Sequence, residues 1–385
     1  MPNPARAFAQ AHCLSEEQVS AAELAGRIAA GYEAKSFGDR DAVRELWSKL
    51  VNAGFAGMSL PEKYGGAGSG LLELCLVMER TSAAGFPAAK LILSQGIVGP
   101  ILLRSGSSEQ CDRWLPPVAA GDIEFSFALT EADAGSNPSR MRTVAEPVGD
   151  GSWRLRGEKC YITAVDDSAA MLVAAQTPSA DGLTLFIVEE PVQRLGLTRM
   201  NIDISLFESQ FVVHFDDVVV GPDAIVGEPG NGLSALFHGL NPERLLTGSQ
   251  AVGLGRWGLD RACRYANSRA VFAHLIGAHQ AVQHPLAESW LQLEAAWGLM
   301  IAAARGYDRG EAVGVECNAA KVLACDAGWL ALDRALQTYA GSGFVADHRL
   351  IERLMVARLF KIAPVTREMA LNHIAAEGLG LPKSY

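Results

Sequence analysis

The stretch Phe125-Ser126-Phe127-Ala128-Leu129-Thr130-Glu131-Ala132-Asp133-Ala134-Gly135-Ser136-Asn137 gathers small residues and three hydroxyls, Ser126, Thr130 and Ser136, around one glycine. Small side chains let a planar ligand and its phosphates approach the backbone, and hydroxyls offer them hydrogen bonds. A polar loop leaving an edge strand has the same composition. Farther on, Arg269 is followed by Phe272 and Gln280. A guanidinium fork matches two oxygens of a pyrophosphate, although a helix-capping Arg beside a core Phe is spelled the same way. Asn241-Pro242-Glu243-Arg244-Leu245 carries a carboxylate that can move a proton. It also spells a helix start, with Asn241 as N-cap, Pro242 at N1 and the acid at N2. There the helix N-terminus weakens the acid as a base, and desolvation by a bound apolar chain acts in the opposite direction.

Other chemistries find less support. Gly253-Leu254-Gly255-Arg256-Trp257-Gly258 is a literal G-x-G-x-x-G. It lies in a helical stretch with no strand before it, whereas the dinucleotide fingerprint needs strand, turn and helix in order. These glycines are expected to serve helix packing. Gly66-Ala67-Gly68-Ser69-Gly70 fails for the same reason. His274, His279 and His284 are spaced by five, which spreads them around a helix, so no metal is expected. No Cys or Ser nucleophile signature is present.

With 385 residues, 49% of them hydrophobic and 20% charged, the chain is long enough for two or three domains with ample core. A net charge of -10 argues against nucleic acid as a main partner. No apolar run reaches bilayer length, and residues 1–20 lack a secretory pattern. Seven scattered cysteines without C-x-x-C read as reduced thiols of a cytoplasmic protein, mostly small core residues.

The elements that must hold these residues fall into three runs. Residues 1–123 read as helical, with Ser15 and Gln18 as a capping box and apolar periodicity over 40–55, 71–84 and 88–105. Residues 124–222 alternate in period two, with strands expected at 152–163, 169–176, 183–189 and 211–220. Residues 223–385 return to the helical period, with long helices near 241–268, 279–305, 316–338 and 345–377. The expected fold is therefore a multidomain α+β chain. It has an N-terminal all-α domain, a middle antiparallel β-sandwich or barrel, and a C-terminal four-helix bundle.

In this order, several segments resemble landmarks of the acyl-CoA dehydrogenase family, nearly end to end. Thr130-Glu131-Ala132-Asp133-Ala134-Gly135-Ser136-Asn137 resembles its flavin-binding T-E-P-x-A-G-S-D, with Ala132 and Asn137 as departures. Leu60-Pro61-Glu62-Lys63-Tyr64-Gly65-Gly66 resembles an N-terminal landmark, and Gly157-Glu158-Lys159-Cys160-Tyr161-Ile162-Thr163 resembles the G-x-K-x-W-I-T strand. Arg269, Phe272 and Gln280 match R-x-x-F…Q, and Gln337 to Phe344 match Q-x-x-G-G-x-G-F with Ala340 in place of its first glycine. The resemblance implies FAD, held by Phe127, Leu129, Thr130, Gly135, Ser136, Tyr161, Thr163 and Thr366. Arg269, Phe272, Gln280, Gln337 and Gly341 reach the FAD of a neighbouring subunit, so a homo-oligomer, dimer or tetramer, is implied.

It also implies a reaction. A base takes the α-proton of an acyl thioester, carried on coenzyme A or acyl-carrier protein, and the β-hydrogen leaves as hydride to flavin N5. Electrons then pass to an electron-transfer flavoprotein or similar acceptor. Pro364 stands where most relatives place the catalytic Glu, whereas Glu243 matches the position used by branched- and long-chain members, with Ser136, Asn241 and Arg244 on the substrate. Proline has no N–H to give the thioester oxygen. A one-residue shift of register would let Val365 donate; otherwise oxyanion stabilisation is weaker or the reaction differs. An oxidase or flavin-dependent monooxygenase on the same fold is the alternative.

Overall fold

A computed structural model describes residues 13–384. In chain order the helices and strands begin with α1 (Glu16–Ala30), α2 (Arg40–Asn52) and α3 (Leu71–Ala83), then a π-helical segment (Ile92–Val98), α4 (Gly99–Ser105) and α5 (Ser108–Ala120). The strands are β1 (Phe125–Ala128), β2 (Val144–Gly149), β3 (Ser152–Thr163), β4 (Ala170–Thr177) and β5 (Gly182–Glu189), and, after the one-turn α6 (Pro191–Arg194), β6 (Gly196–Arg199), β7 (Gln210–Val220) and β8 (Ile225–Val226). Then come α7 (Gly232–Ala266), the hairpin β9 (Ala270–Val271) and β10 (His274–Leu275), α8 (Gln280–Asp308), α9 (Gly314–Tyr339), α10 (Leu350–Phe360) and α11 (Arg367–His373). By contacts the chain forms two compact units. One joins Val51–Gly68 to Lys90–Glu243; the other joins, among the described residues, 13–50, Ser69–Ala89 and 244–384.

The first unit is organised by the sheet β6-β7-β3-β2-β4-β5-β8, with β1 beside β4. Most pairings are antiparallel, while β1 runs parallel to β4 and one rung joins β2 to β4 in parallel. Strand β4 shows why this is a core. Its Met171, Val173 and Ala175 enter one apolar cluster with Leu155, Phe186, Phe211 and Val213, whereas Ala170, Leu172 and Ala174 enter another with Ile101, Trp114 and Val118. Period two thus buries both faces: the sheet folds over one cluster and the helices cover the other. The edge Trp114–Phe125 ring contact at 5.2 Å ties α5 to β1.

The second unit packs α1 and α3 with the long C-terminal helices. The G-x-G-x-x-G lies inside α7, as expected for packing glycines. A Cβ on Gly253 would stand 2.4 Å from the Glu79 carbonyl oxygen, one on Gly255 2.7 Å from Leu293 Cδ2, and one on Gly258 2.7 Å from Leu332 Cδ2. Those glycines let helix axes approach closely.

Three expectations about helices change. Helix α7 begins at Gly232, not near 241, so Asn241 is no N-cap and Pro242 lies inside the helix. The expected helix 345–377 is broken into α10 and α11 around Pro364, because proline cannot continue the hydrogen-bond ladder. The region 88–105 is π-helical before it is α-helical, and α5 is an additional helix with Pro116 and Pro117 in it. Among the described residues no helix is long and apolar enough to cross a membrane. Of the seven thiols, Cys75, Cys111, Cys160, Cys317 and Cys325 are buried and none is paired.

Candidate active site

In the first unit, β1 and β3 bring the first group of candidate residues together. The Cys160 N–H donates to the Thr130 carbonyl at 3.0 Å, so the loop after β1 lies along β3. Beneath that loop, Lys159 Nζ donates to the Leu129 carbonyl at 3.0 Å and to Glu131 Oε1 at 2.9 Å. Glu131 also accepts from the Arg142 N–H at 2.6 Å and the Thr143 N–H at 2.9 Å. Burial alone would raise the Glu131 carboxyl. The Arg142 N–H, Thr143 and Lys159 outweigh it and hold that carboxyl below its ordinary range. Burial pulls the Lys159 ammonium down to about 8 against the attraction of Glu131. This pair was not singled out from the sequence, although both members lie within the two motifs. Its signal was a lysine whose neighbours read as strand.

The register of β3 against β7 shifts between Lys159 and Ile162. The bulge breaks the alternation: Lys159 and Cys160 are both buried, and Tyr161, at φ +58°, turns outward with its surface 60% exposed. Two residues on, the Thr163 hydroxyl donates to Gln210 Oε1 at 3.1 Å. Phe127, Leu129 and Thr130 are half-buried, whereas Gly135 and Ser136 are exposed. No atom lies within 4 Å of where a Cβ on Gly135 would stand. Asn137 folds the loop back by accepting from the Ser139 N–H at 3.1 Å.

The second unit holds its candidates in two places. Arg269 opens a short hairpin closed by the Ile276 N–H on the Arg269 carbonyl at 2.9 Å. At its tip Phe272 has φ +60° and is fully exposed. A positive φ is uncommon for a bulky residue, and here it belongs to the turn between β9 and β10. Gln280 begins α8, and Gln337 and Gly341 sit at the end of α9. Tyr265 stacks on Tyr339 at 4.2 Å and accepts from Ser342 Oγ at 3.4 Å, which joins the hairpin root to that end. Thr366 is elsewhere: its hydroxyl accepts from the Met369 N–H at 3.3 Å as N-cap of α11. The adjoining Val365 meets α9 at Lys321, sixteen residues before Gln337, about 24 Å along the helix axis. One chain therefore does not gather all its second-unit candidates at one point.

Glu243 is half-buried and lies roughly three turns inside α7, flanked by buried Pro242 and Arg244. Gly239, one turn earlier, lies so close to the π-helical segment that a Cβ would stand 2.6 Å from the Ile97 carbonyl oxygen. The helix-start explanation for the acid is thus removed. Asn241 is half-buried too.

These groups fit FAD. The bulge presents an exposed aromatic face at Tyr161, Thr163 adds a hydroxyl, and Gly135 leaves open backbone beside Thr130 and Ser136. That is the donor set a ring with a phosphate-bearing chain requires.

Comparison with known proteins agrees. Residues 7–122, 126–218 and 230–379 match the N-terminal, middle and C-terminal domains of acyl-CoA dehydrogenase. The chain is 39% identical over 347 residues to acyl-CoA dehydrogenase FadE12 of Mycobacterium tuberculosis, covering 89% of each. Butyryl-CoA dehydrogenase from Megasphaera elsdenii shares the fold at a TM-score of 0.89 and 24% identity, over 96% of this chain and 99% of that one. The FAD complex of PigA superimposes at a TM-score of 0.87 with 25% identity, over 96% of this chain and 98% of that one. With all three domains matched in order, this chain belongs to the acyl-CoA dehydrogenase family of FAD-dependent enzymes.

Proposed function

We propose that the enzyme oxidises an acyl thioester to its α,β-unsaturated product, with Glu243 as the base that removes the α-proton. The observation that carries this is the place of Glu243 inside α7. There it does not stand at a helix start, and the N-terminal charge of the helix lies three turns earlier. When bound, FAD accepts the β-hydrogen with its electron pair. Tyr161 gives the ring an apolar face and Thr163 a polar neighbour. Thr130, Gly135 and Ser136 would hold its phosphate-bearing chain, together with Phe127 and Leu129. Ser136, Asn241 and Arg244 hold the substrate, carried on coenzyme A or an acyl-carrier protein.

The thioester oxygen gains charge as the α-proton leaves and needs a donor. Pro364 has none, and the N–H of Val365 is the next along the chain. Arg269, Phe272, Gln280, Gln337 and Gly341 serve the FAD of a second copy in a dimer or tetramer. The separation of Gln337 from the Thr366 segment along α9 supports that reading, as does the exposure of Phe272. Electrons leave to an electron-transfer flavoprotein or similar acceptor.

Anaerobic titration of the yellow protein with acyl thioesters tests this. Wild type is expected to bleach, and Glu243→Gln to keep its flavin while bleaching at least about a hundredfold more slowly. Normal bleaching by the variant overturns the role of Glu243. Rapid reoxidation of the product-bound enzyme by oxygen would instead favour the oxidase alternative.

A further inference from the structure

Lys321 lies in α9 with its side chain completely buried. Its Nζ donates to the carbonyl oxygen of Val365 at 2.6 Å, its one hydrogen-bond acceptor among the described residues. A buried ammonium held by a single neutral carbonyl is a costly way to fill a core position, since an apolar side chain of similar size avoids the desolvation. Five residues on, Asp326 bonds the two ends of the same connection, Lys361 at 2.7 Å and Arg367 at 2.8 Å. Helix α9 thus grips residues 361–367 at both ends and, through Lys321, near the middle. The charged and titratable groups acting on Lys321 are Cys325 and Asp326 on α9, Arg244 on α7 and Glu368 on α11. Burial draws the ammonium below its usual range, and Arg244 adds to that.

We infer that Lys321 is a positioning residue, which holds the Val365 segment so that its backbone donor meets the thioester oxygen. This rests on the acyl-thioester reading above. The segment needs such a hold because Pro364 contributes no N–H, and the Val365 N–H has no backbone acceptor among the described residues. Loss of the grip lets the 361–367 connection relax without removing any group that touches substrate.

The test uses flavin-loaded Lys321→Met and Lys321→Arg, followed by steady-state kinetics, melting, and the C=O stretch of a bound unsaturated thioester. Lys321→Met is expected to lose about ten- to a hundredfold in kcat with KM nearly unchanged. Its bound thioester should give a C=O stretch moved toward the free value, and Lys321→Arg should restore part of both. Should Lys321→Met not fold, Lys321→Gln takes its place, keeping a shorter neutral donor. A variant with lower melting temperature but wild-type kcat and C=O stretch overturns the inference and leaves Lys321 a structural residue. Failure of the wild type itself to bleach with any acyl thioester would overturn the reading of the reaction instead, and the two outcomes are distinct.

Discussion

Each contact unit buries a lysine completely, Lys159 in the sheet unit and Lys321 in the helical one. Lys159 faces a carboxylate that is also held by two backbone N–H groups. Lys321 faces a peptide carbonyl. The first is a closed, charge-balanced network, and its work is to shape a loop. The second leaves its charge without an ionic hydrogen-bond partner among the described residues, and its work is to pin a break between helices. A closed pair is costly to open because the survivor stays charged and buried. A lone cation is cheap to remove and costly only where its position matters.

The comparison breaks most readily on stability. Lys159→Met strands Glu131 and is expected to cost about 3–5 kcal/mol with loss of flavin, whereas Lys321→Met should melt near wild type. Thermal melts with flavin content measured on both variants decide it, and equal losses would refute the distinction.

Titration sharpens the same contrast. The Lys159 pKa falls from 10.5 to about 8 on folding. Between those values the unfolded chain binds more protons, so this group's contribution to stability rises with pH through that window. Below it, the penalty is present in full. The stability difference between wild type and Lys159→Met should therefore widen from about pH 8 to 10.5. Glu131 adds an acid limb of opposite origin. Its carboxyl sits below the ordinary 4.5, so its contribution is present above that value and is lost as pH falls through the lowered pKa. A flat difference between the two melting profiles across both limbs would mean that water reaches the pair.

Glycines give a smaller effect and separate packing from binding. Gly253→Ala in α7 drives a methyl to 2.4 Å from the Glu79 carbonyl and should destabilise by about 1–3 kcal/mol despite the better helix propensity of alanine. Gly135→Ala meets nothing within 4 Å, so the apo-protein should melt unchanged. Its flavin affinity should nevertheless fall if the cofactor lies along that backbone. Phe272→Ala should likewise leave subunit stability near that of wild type, since the side chain is fully exposed. Loss of oligomer or of flavin on dilution, followed by light scattering and fluorescence, is the expected result.

Much of this was legible in the residues. Strands β3, β4, β5 and β7 run eight to twelve residues with strong alternation or apolar runs, and they were placed within a residue or two. Strands β1, β2, β6 and β8 have two to six residues, too few for a period to show. The glycines of α7 were recognised as packing residues because no strand precedes them. The start of α7 was misplaced because Asn241-Pro242-Glu243 satisfies every local rule for a helix start. Its actual beginning at Gly232 places Gly239 within the helix and against the π-helical segment, a contact between distant residues. The break at Pro364 was visible as a proline, but its depth depends on Lys321 and Asp326, which come from another helix.

By itself the sequence determined the order of helical and strand sections, the small-residue loop beside β3, and the motifs that name the family. Those follow from local chemistry: periodicity, turn residues and hydroxyl spacing act over a few positions. Tertiary structure alone decided that Tyr161 turns outward on a bulge, that Glu131 and Lys159 close on each other beneath the loop, and that Glu243 sits in mid-helix. A register shift, a buried ion pair and a helix that runs on past proline are each settled by partners far away in the chain, where no local rule reaches.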